Sequence, residues 1–251
     1  MYVLKEKTIA RTSNLISELA TFYDEGYIQG EPKLLKSGKE ATVYCCRTDS
    51  LIDADWVAAK IYRPLNSRCF KNDAVYREGR VITDSRARRA VQNSSRKGRG
   101  MAFGMWIGHE FETLSTLHSH GADVPRPISL ASSAMLMEYF GDEWTPAPRL
   151  ADIEIDAKEA SDLYRQILRN VEIGLSCHLV HGDLSEYNIL YWKGEARIID
   201  YPQAVDTLRN RNAYDLLERD IQRVTAYFAA YGLNSADPYR ISRSLWAKYG
   251  K

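Results

Sequence analysis

Apolar positions change period along this chain. Over 12–23 (T-S-N-L-I-S-E-L-A-T-F-Y), Leu15, Ile16, Leu19, Phe22 and Tyr23 fall at helical spacing. Thr12 or Ser13 can cap such a helix, and Gly26 lies just beyond its end. Two β-like runs follow, 41–47 (A-T-V-Y-C-C-R) and 56–62 (W-V-A-A-K-I-Y), joined by a loop holding Asp49, Ser50, Asp53 and Asp55. Residues 64–100 break the pattern: they are polar and basic, with Gly79, Gly98 and Gly100, and read as a long functional or mobile insertion. Helical spacing returns at about 102–119, with Phe103, Trp106, Ile107, Phe111, Leu114 and Leu117 on one face. Pro125 and Pro127 mark a connection, and 134–140 (A-M-L-M-E-Y-F) reads as a buried strand. The stretch from Gly141 to Pro148 reads as a linker between lobes. Beyond it the pattern predicts a helix over 157–176, strands over 189–192 and 196–199, and helices from 211 onward.

The order is strand-rich first and helix-rich second, without an internal repeat, which predicts an α+β chain. Its 251 residues, 45% hydrophobic, suffice for one substantial core or two small lobes around a cleft. No run approaches 18 consecutive apolar residues, so no membrane span is expected. The first ten residues lack the apolar core of a signal peptide, and a cytoplasmic location is expected. Cys45, Cys46, Cys69 and Cys177 fit neither a zinc knuckle nor a C-x-x-C pair and read as reduced structural thiols.

The net charge of +1 gives no reason to expect a dedicated nucleic-acid binder, but it is a sum of opposites. Residues 60–100 hold 12 Lys+Arg against 3 Asp+Glu, a net of +9, and the remainder carries −8. Arg86, Arg88, Arg89, Arg96, Lys97 and Arg99 have no acid between them. Three readings stay open: a solvated insertion, a contact with RNA or an acidic partner, and regulation through Ser85, Ser94 or Ser95 among the arginines.

The strongest chemical signal is H-G-D-L-S-E-Y-N at 181–188, followed by Asp200 in R-I-I-D-Y-P-Q. Two acids and an Asn at this spacing around a short hairpin suit phosphoryl transfer to a hydroxyl. One Asp acts as base or orienting group, while the Asn and the second Asp supply hard oxygen ligands to magnesium. Upstream, K-S-G-K-E-A at 36–41 places a glycine turn before a strand, either a phosphate-approaching loop or an ordinary hairpin. It is not a Walker P-loop. Lys60 stands inside an apolar run: it is either an edge residue or a cation aimed at nucleotide phosphates and held by a helix glutamate. Glu110 and Glu112 are the candidates, and they point about 200° apart around a helix. Met137-Glu138-Tyr139-Phe140 is either a core strand running into a turn or a crossing segment whose backbone meets adenine. The order turn, Lys, helical Glu, linker, Asp-x-x-x-x-Asn, Asp is that of a bilobal kinase cleft.

At these residues the chain resembles the RIO family of atypical serine/threonine protein kinases. The resemblance rests on H-G-D-L-S-E-Y-N-I-L, on I-I-D-Y-P-Q-A-V and on S-G-K-E-A-T-V-Y at 37–44, and runs from about residue 30 to 206. F-K-N-D-A-V-Y-R-E-G at 70–79 is similar to the insertion of the Rio-one type. W-I-G-H-E-F-E-T-L at 106–114 resembles the family's helix segment and singles out Glu110. The resemblance implies a protein-kinase-like fold: an N-terminal helical segment over 1–29, a β-rich N-lobe over 30–140 and a truncated helical C-lobe over 141–251. Only 51 residues follow Asp200, and nothing like A-P-E is present.

The resemblance also implies ATP with Mg2+ or Mn2+. Nucleotide contacts fall to Ser37, Lys39, Glu40, Val43, Lys60, Glu110, Met137, Glu138, Phe140, Glu186, Asn188 and Asp200. Metal binding falls to Asn188 and Asp200, and catalysis to Asp183 and Asp200, the latter also as acceptor in a phospho-aspartate intermediate. Partners implied are a protein substrate and a ribosomal particle or RNA meeting the basic segment, with a link to ribosome maturation. Lys36 departs from the family's usual Ser, and Tyr201-Pro202 stands where ordinary kinases have Phe-Gly. His181-Gly182 is shared with aminoglycoside and choline kinases, so a small-molecule phosphotransferase is the alternative reading.

Overall fold

The computed structural model describes residues 17–63, 96–143, 145–233 and 237–250. A five-stranded antiparallel sheet in the order β1-β2-β3-β5-β4 is built from β1 (Ile28–Ser37), β2 (Ala41–Thr48), β3 (Trp56–Tyr62), β4 (Pro127–Leu130) and β5 (Ala134–Glu138). β3 pairs with β2 from Ala41↔Tyr62 to Arg47↔Trp56 and with β5 from Val57↔Glu138 to Ile61↔Ala134. It is covered on both faces, which is why W-V-A-A-K-I-Y is a continuous run and not an alternating one.

The period of two then sorts the side chains. Cys46, Val57, Ala59, Ile61, Ala134 and Leu136 form a core on one face, and a helix over 17–24 (α1) lays Leu19 and Phe22 on it. The other face carries Val43, Lys60 and Met135 in one row and Cys45, Ala58 and Met137 in the next. This second face looks into the cleft. β1 is an exposed edge with two register shifts and charged side chains, features that keep an edge from pairing with another chain.

Beyond β1, which the sequence pattern did not announce, the structure differs from the sequence expectation in this half at two joints. The connection expected at Pro125–Pro127 contains β4, with Pro127 as its first residue at the sheet edge, where a missing N–H costs no ladder bond. The helix expected from about 102 is α2 (Arg96–Ser119), so the last five residues of the stretch expected as insertion, 96–100, are helical. Residues 64–95 of that stretch, Cys69 and residues 12–16 of the first predicted helix lie outside the described residues. Cys45, Cys46 and Cys177 are free.

The second half begins with α3 (Ala157–Ser176), capped by the Asp156 carboxylate, which accepts the Glu159 N–H at 2.8 Å. β6 (Leu179–Val180) pairs with β9 (Val205–Asp206), and β7 (Ile189–Trp192) with β8 (Glu195–Ile198). Lys193 and Gly194 both have positive φ, as a tight hairpin turn requires. α4 (Ala213–Ala229) and α5 (Pro238–Tyr249) follow, α5 capped by Asp237 with Pro238 in its first turn. Among the described residues no helix is long and apolar enough to cross a membrane.

Asp123, between α2 and β4, ties the two halves. Its carboxylate accepts from Gln166 Nε2 (3.0 Å), Asn170 Nδ2 (2.8 Å), Arg169 Nη1 and Arg197 Nη1 (both 3.2 Å), and its N–H donates to Asn170 Oδ1 at 2.6 Å. Asp123→Ala takes one acceptor from each of four donor side chains, Asn170 and Arg197 among them buried or half-buried. It is expected to cost about 2 kcal/mol or more, a fall in Tm on the order of 5 °C. Thermal unfolding followed by circular dichroism checks this, and an unchanged Tm would refute it.

Candidate active site

The cleft face of β3 delivers Lys60, which is 6% exposed. Its Nζ donates to Glu110 Oε1 and to Asp200 Oδ1, each at 2.6 Å. Glu110, on the buried stripe of α2 with Ile107, Leu114 and Leu117, is 1% exposed. Tyr62 Oη donates to its Oε2 at 2.8 Å and the Tyr201 N–H to its Oε1 at 3.2 Å. Glu112 lies on the exposed side, as the helical angle requires.

Two carboxylates thus share one ammonium, leaving a net charge of −1. Burial alone would depress the Lys60 ammonium, but the Asp200 and Glu110 charges raise it above the usual range. Burial pushes Glu110 up, against the pull of Lys60. Burial also opposes ionisation of Asp200, but the Lys60 charge and hydrogen bond prevail and hold it below the usual carboxylate range. Asp200 has φ 70°, a left-handed conformation that aspartate tolerates better than most residues, and its side chain is 43% exposed.

The segment 181–188 approaches from the other half. His181 is buried, its Nε2 3.1 Å from the Ile199 carbonyl, and its Nδ1 accepts the Asp183 N–H at 3.2 Å. Those partners assign the proton to Nε2, and burial lowers the imidazole's affinity for a second proton. Asn188 Nδ2 donates to the Asp183 carbonyl at 2.9 Å. The Ile199 N–H donates to the Asn188 carbonyl at 2.9 Å, which sets Asn188 beside the Asp200 strand end. Asp220 of α4, 1% exposed, accepts the N–H groups of Gly182 (2.7 Å) and Leu184 (3.1 Å). Burial pushes its carboxyl up to about 7 despite those donors.

At the outer lip, the Gly38 N–H donates to the Ala41 carbonyl at 2.9 Å and closes the turn between β1 and β2. Arg63 secures that turn: its N–H donates to the Glu40 carbonyl (2.8 Å), its Nη2 to Ser37 Oγ (2.7 Å). Lys39 is exposed at the tip. At the back, Met137 and Glu138 end β5. The Glu138 N–H donates to the Arg126 carbonyl (2.8 Å) and the Phe140 carbonyl accepts from the Ala147 N–H (2.9 Å). Those two groups are committed to the protein. Gly141 has φ 149°, and a Cβ there would fall 2.5 Å from the Thr145 carbonyl oxygen, so the crossing segment turns on glycine.

Lys60, Glu110 and Asp200 are in direct contact, with Asp183 and Asn188 tied to each other. Val43 faces Lys60 across the β2–β3 ladder. Glu186, half-buried on the turn after Asp183, does not touch the Lys60 group among the described contacts. Sequence reasoning passed over Tyr62, Arg63, Asp220 and Arg223. Asp220 had a signal: it is an acid in phase with the buried Leu216, Leu217, Ile221 and Val224 of an amphipathic helix. Arg223 had none.

The fold is bilobal and protein-kinase-like. It superposes on the crystal structure of the Rio2 kinase–ADP/Mg2+–phosphoaspartate complex from Chaetomium thermophilum with TM-score 0.66 and 20% identity, over 93% of this chain and 66% of that one. The RIO domain profile matches residues 42–241, and the chain belongs to that family. It is 32% identical over 234 residues to the serine/threonine-protein kinase rio1 of Schizosaccharomyces pombe, covering 90% of this chain and 44% of the relative. It is also 32% identical over 212 residues to the RIO-type serine/threonine-protein kinase Rio1 of Haloferax volcanii, covering 84% and 67%. The chain therefore spans less than half of the first of these relatives.

Proposed function

We propose that the chain is a RIO-type serine/threonine kinase or ATPase that uses ATP and Mg2+, with residues 30–140 as N-lobe and 141–251 as C-lobe. The observation that carries this reading is Lys60 bridged between Glu110 and Asp200, with Asp183 and Asn188 tied together across the cleft. Membership of the RIO family favours it over a small-molecule phosphotransferase. The Glu138 carbonyl accepts from the adenine amino group and the Phe140 N–H donates to the ring, while Val43 and Met137 cover the base. Lys60 meets the phosphates beneath the turn that Ser37, Lys39 and Glu40 form, and Glu186 lies on the C-lobe side.

The donor set fits a divalent cation. The buried group is one positive charge short, Asp200 keeps an oxygen beyond the one held by Lys60, and Asn188 turns its Nδ2 to the protein, leaving Oδ1 for a ligand. Asn188 and Asp200 would hold the ion, which neutralises phosphate charge when bound. Asp183 takes or orients the hydrogen of the acceptor hydroxyl as the oxygen–phosphorus bond forms and the bond to ADP breaks. Asp200 also serves as acceptor in a phospho-aspartate route, a reading supported by the phosphoaspartate in the Rio2 complex.

The acceptor is a protein hydroxyl, the location is cytoplasmic, and the partner is a ribosomal particle or RNA met by the basic segment 64–100. These three rest on the sequence resemblance and the charge of that segment. Magnesium-dependent release of ADP from ATP tests the reading. Asp183→Ala is expected to reduce it by about a hundredfold or more. Equal turnover in parent and variant would overturn the assignment.

A further inference from the structure

One helix holds the 181–188 segment at three points. Arg219, Asp220 and Arg223 lie within one turn of α4 and share a face. Asp220 and Arg219 grip backbone: Asp220 takes two N–H groups, and Arg219 Nη2 donates to the Gly182 carbonyl. Arg223 differs, because its Nη1 donates to the side-chain Oδ1 of Asp183 at 2.8 Å. The two side chains are 42% and 50% exposed, and an ion pair so open to water adds little to folding. Its place says more than its stability. Among the described residues, Arg223 is the one hydrogen-bond partner of the Asp183 carboxylate.

We infer that Arg223 is a positioning residue for phosphoryl transfer. It holds one oxygen of Asp183, fixes the rotamer and leaves the second oxygen to meet the acceptor hydroxyl. Asn188 fixes the same residue independently through its backbone carbonyl. Together they set both the main chain and the side chain of the group that handles the proton. A carboxylate released from Arg223 rotates, and a displacement of about 1 Å at a reacting group can cost on the order of a hundredfold. The inference rests on the role of Asp183 proposed above, so its test includes a control for that role.

The variants are Arg223→Ala and Arg223→Lys in the full chain, compared with Asp183→Ala and the double variant Asp183→Ala/Arg223→Ala. Steady-state ADP release gives kcat and KM for ATP, and thermal unfolding gives Tm. Arg223→Ala is expected to lose about 10- to 100-fold in kcat. KM for ATP should stay within about twofold and Tm within about 2 °C of the parent. Arg223→Lys, which keeps the charge, is expected to recover part of the loss. Adding Arg223→Ala to Asp183→Ala is expected to cost nothing further, since the group to be positioned is gone. Unchanged kcat in Arg223→Ala beside an inactive Asp183→Ala would overturn the positioning role alone. So would a loss that falls equally on ATP affinity and Tm, which marks a structural residue. If Asp183→Ala keeps parental turnover, the reading of the site fails first and this role falls with it.

Discussion

Asp200→Ala is expected to lower magnesium-dependent ATP turnover by about a thousandfold or more and to lower Tm only modestly. The two halves of that expectation come from the same contacts. Removing the carboxylate deletes the residue proposed to hold the metal and, in the phospho-aspartate route, the phosphoryl acceptor. A thousandfold loss corresponds to about 4 kcal/mol of transition-state stabilisation. Folding is largely spared: the stability that Asp200 draws from Lys60 is lost, but Lys60 remains paired with Glu110 at 2.6 Å, one positive charge against one negative. The exposed side of Asp200 opens to water, so no large cavity is left behind. Turnover at saturating ATP and magnesium, with thermal unfolding on the same preparation, checks both halves. A loss of tenfold or less, or a collapse of Tm, would sink the assignment. Radiolabelled ATP adds a chemical readout: label released by hydroxylamine is expected on the parent and absent from Asp200→Ala.

Asp200 was legible in the sequence because its neighbours constrain it, and the same holds for most of the site. Asp183, Asn188 and Asp200 lie within 18 residues around one hairpin, so local chain geometry alone brings them near each other. Lys60 and Glu110 are 50 residues apart; the order of segments paired Lys60 with a helix glutamate, the helical angle allowed only one of Glu110 and Glu112, and the resemblance of W-I-G-H-E-F-E-T-L to the family's helix segment chose Glu110. Strands rich in β-branched and aromatic residues, and α3, whose cap and apolar stripe agree, fell where the pattern placed them.

What escaped was whatever depends on partners distant in sequence. The first turn of α2, R-K-G-R-G, has no apolar residue to announce it. β4 opens on proline, a strand breaker everywhere except an edge, and only the sheet order reveals the edge. β6 and β9 are two residues each and exist because they meet across 24 intervening residues, which no local period records. Arg223 and Arg63 are ordinary exposed-looking cations until the fold sets Asp183 and the turn between β1 and β2 against them.

Lys60→Met carries the largest combined effect. The side chain is of similar length, so packing is roughly kept, but Glu110 and Asp200 lose the ammonium between them. Two carboxylates, one of them 1% exposed, then face each other, and breaking a buried pair by removing one partner costs about 3–5 kcal/mol. ATP turnover should fall by about a hundredfold or more, since the phosphates lose the cation proposed to meet them. The pH dependence separates this mechanism from simple loss of packing. In the parent, Asp200 sits below its unfolded value because of Lys60, so its share of stability is present above about pH 4 and is lost in stronger acid. Lys60 sits above its unfolded value, so its share is full below about pH 10. In the variant the sign for Asp200 reverses. Burial and mutual repulsion raise both carboxyls, the folded state binds protons more tightly than the unfolded chain, and stability falls as pH rises from about 5 to 8. The deficit against the parent should therefore be smaller at pH 5 than at pH 8 in urea unfolding. A deficit that is constant across that range, or larger at pH 5, would show that the two carboxylates do not depend on Lys60 for their charge.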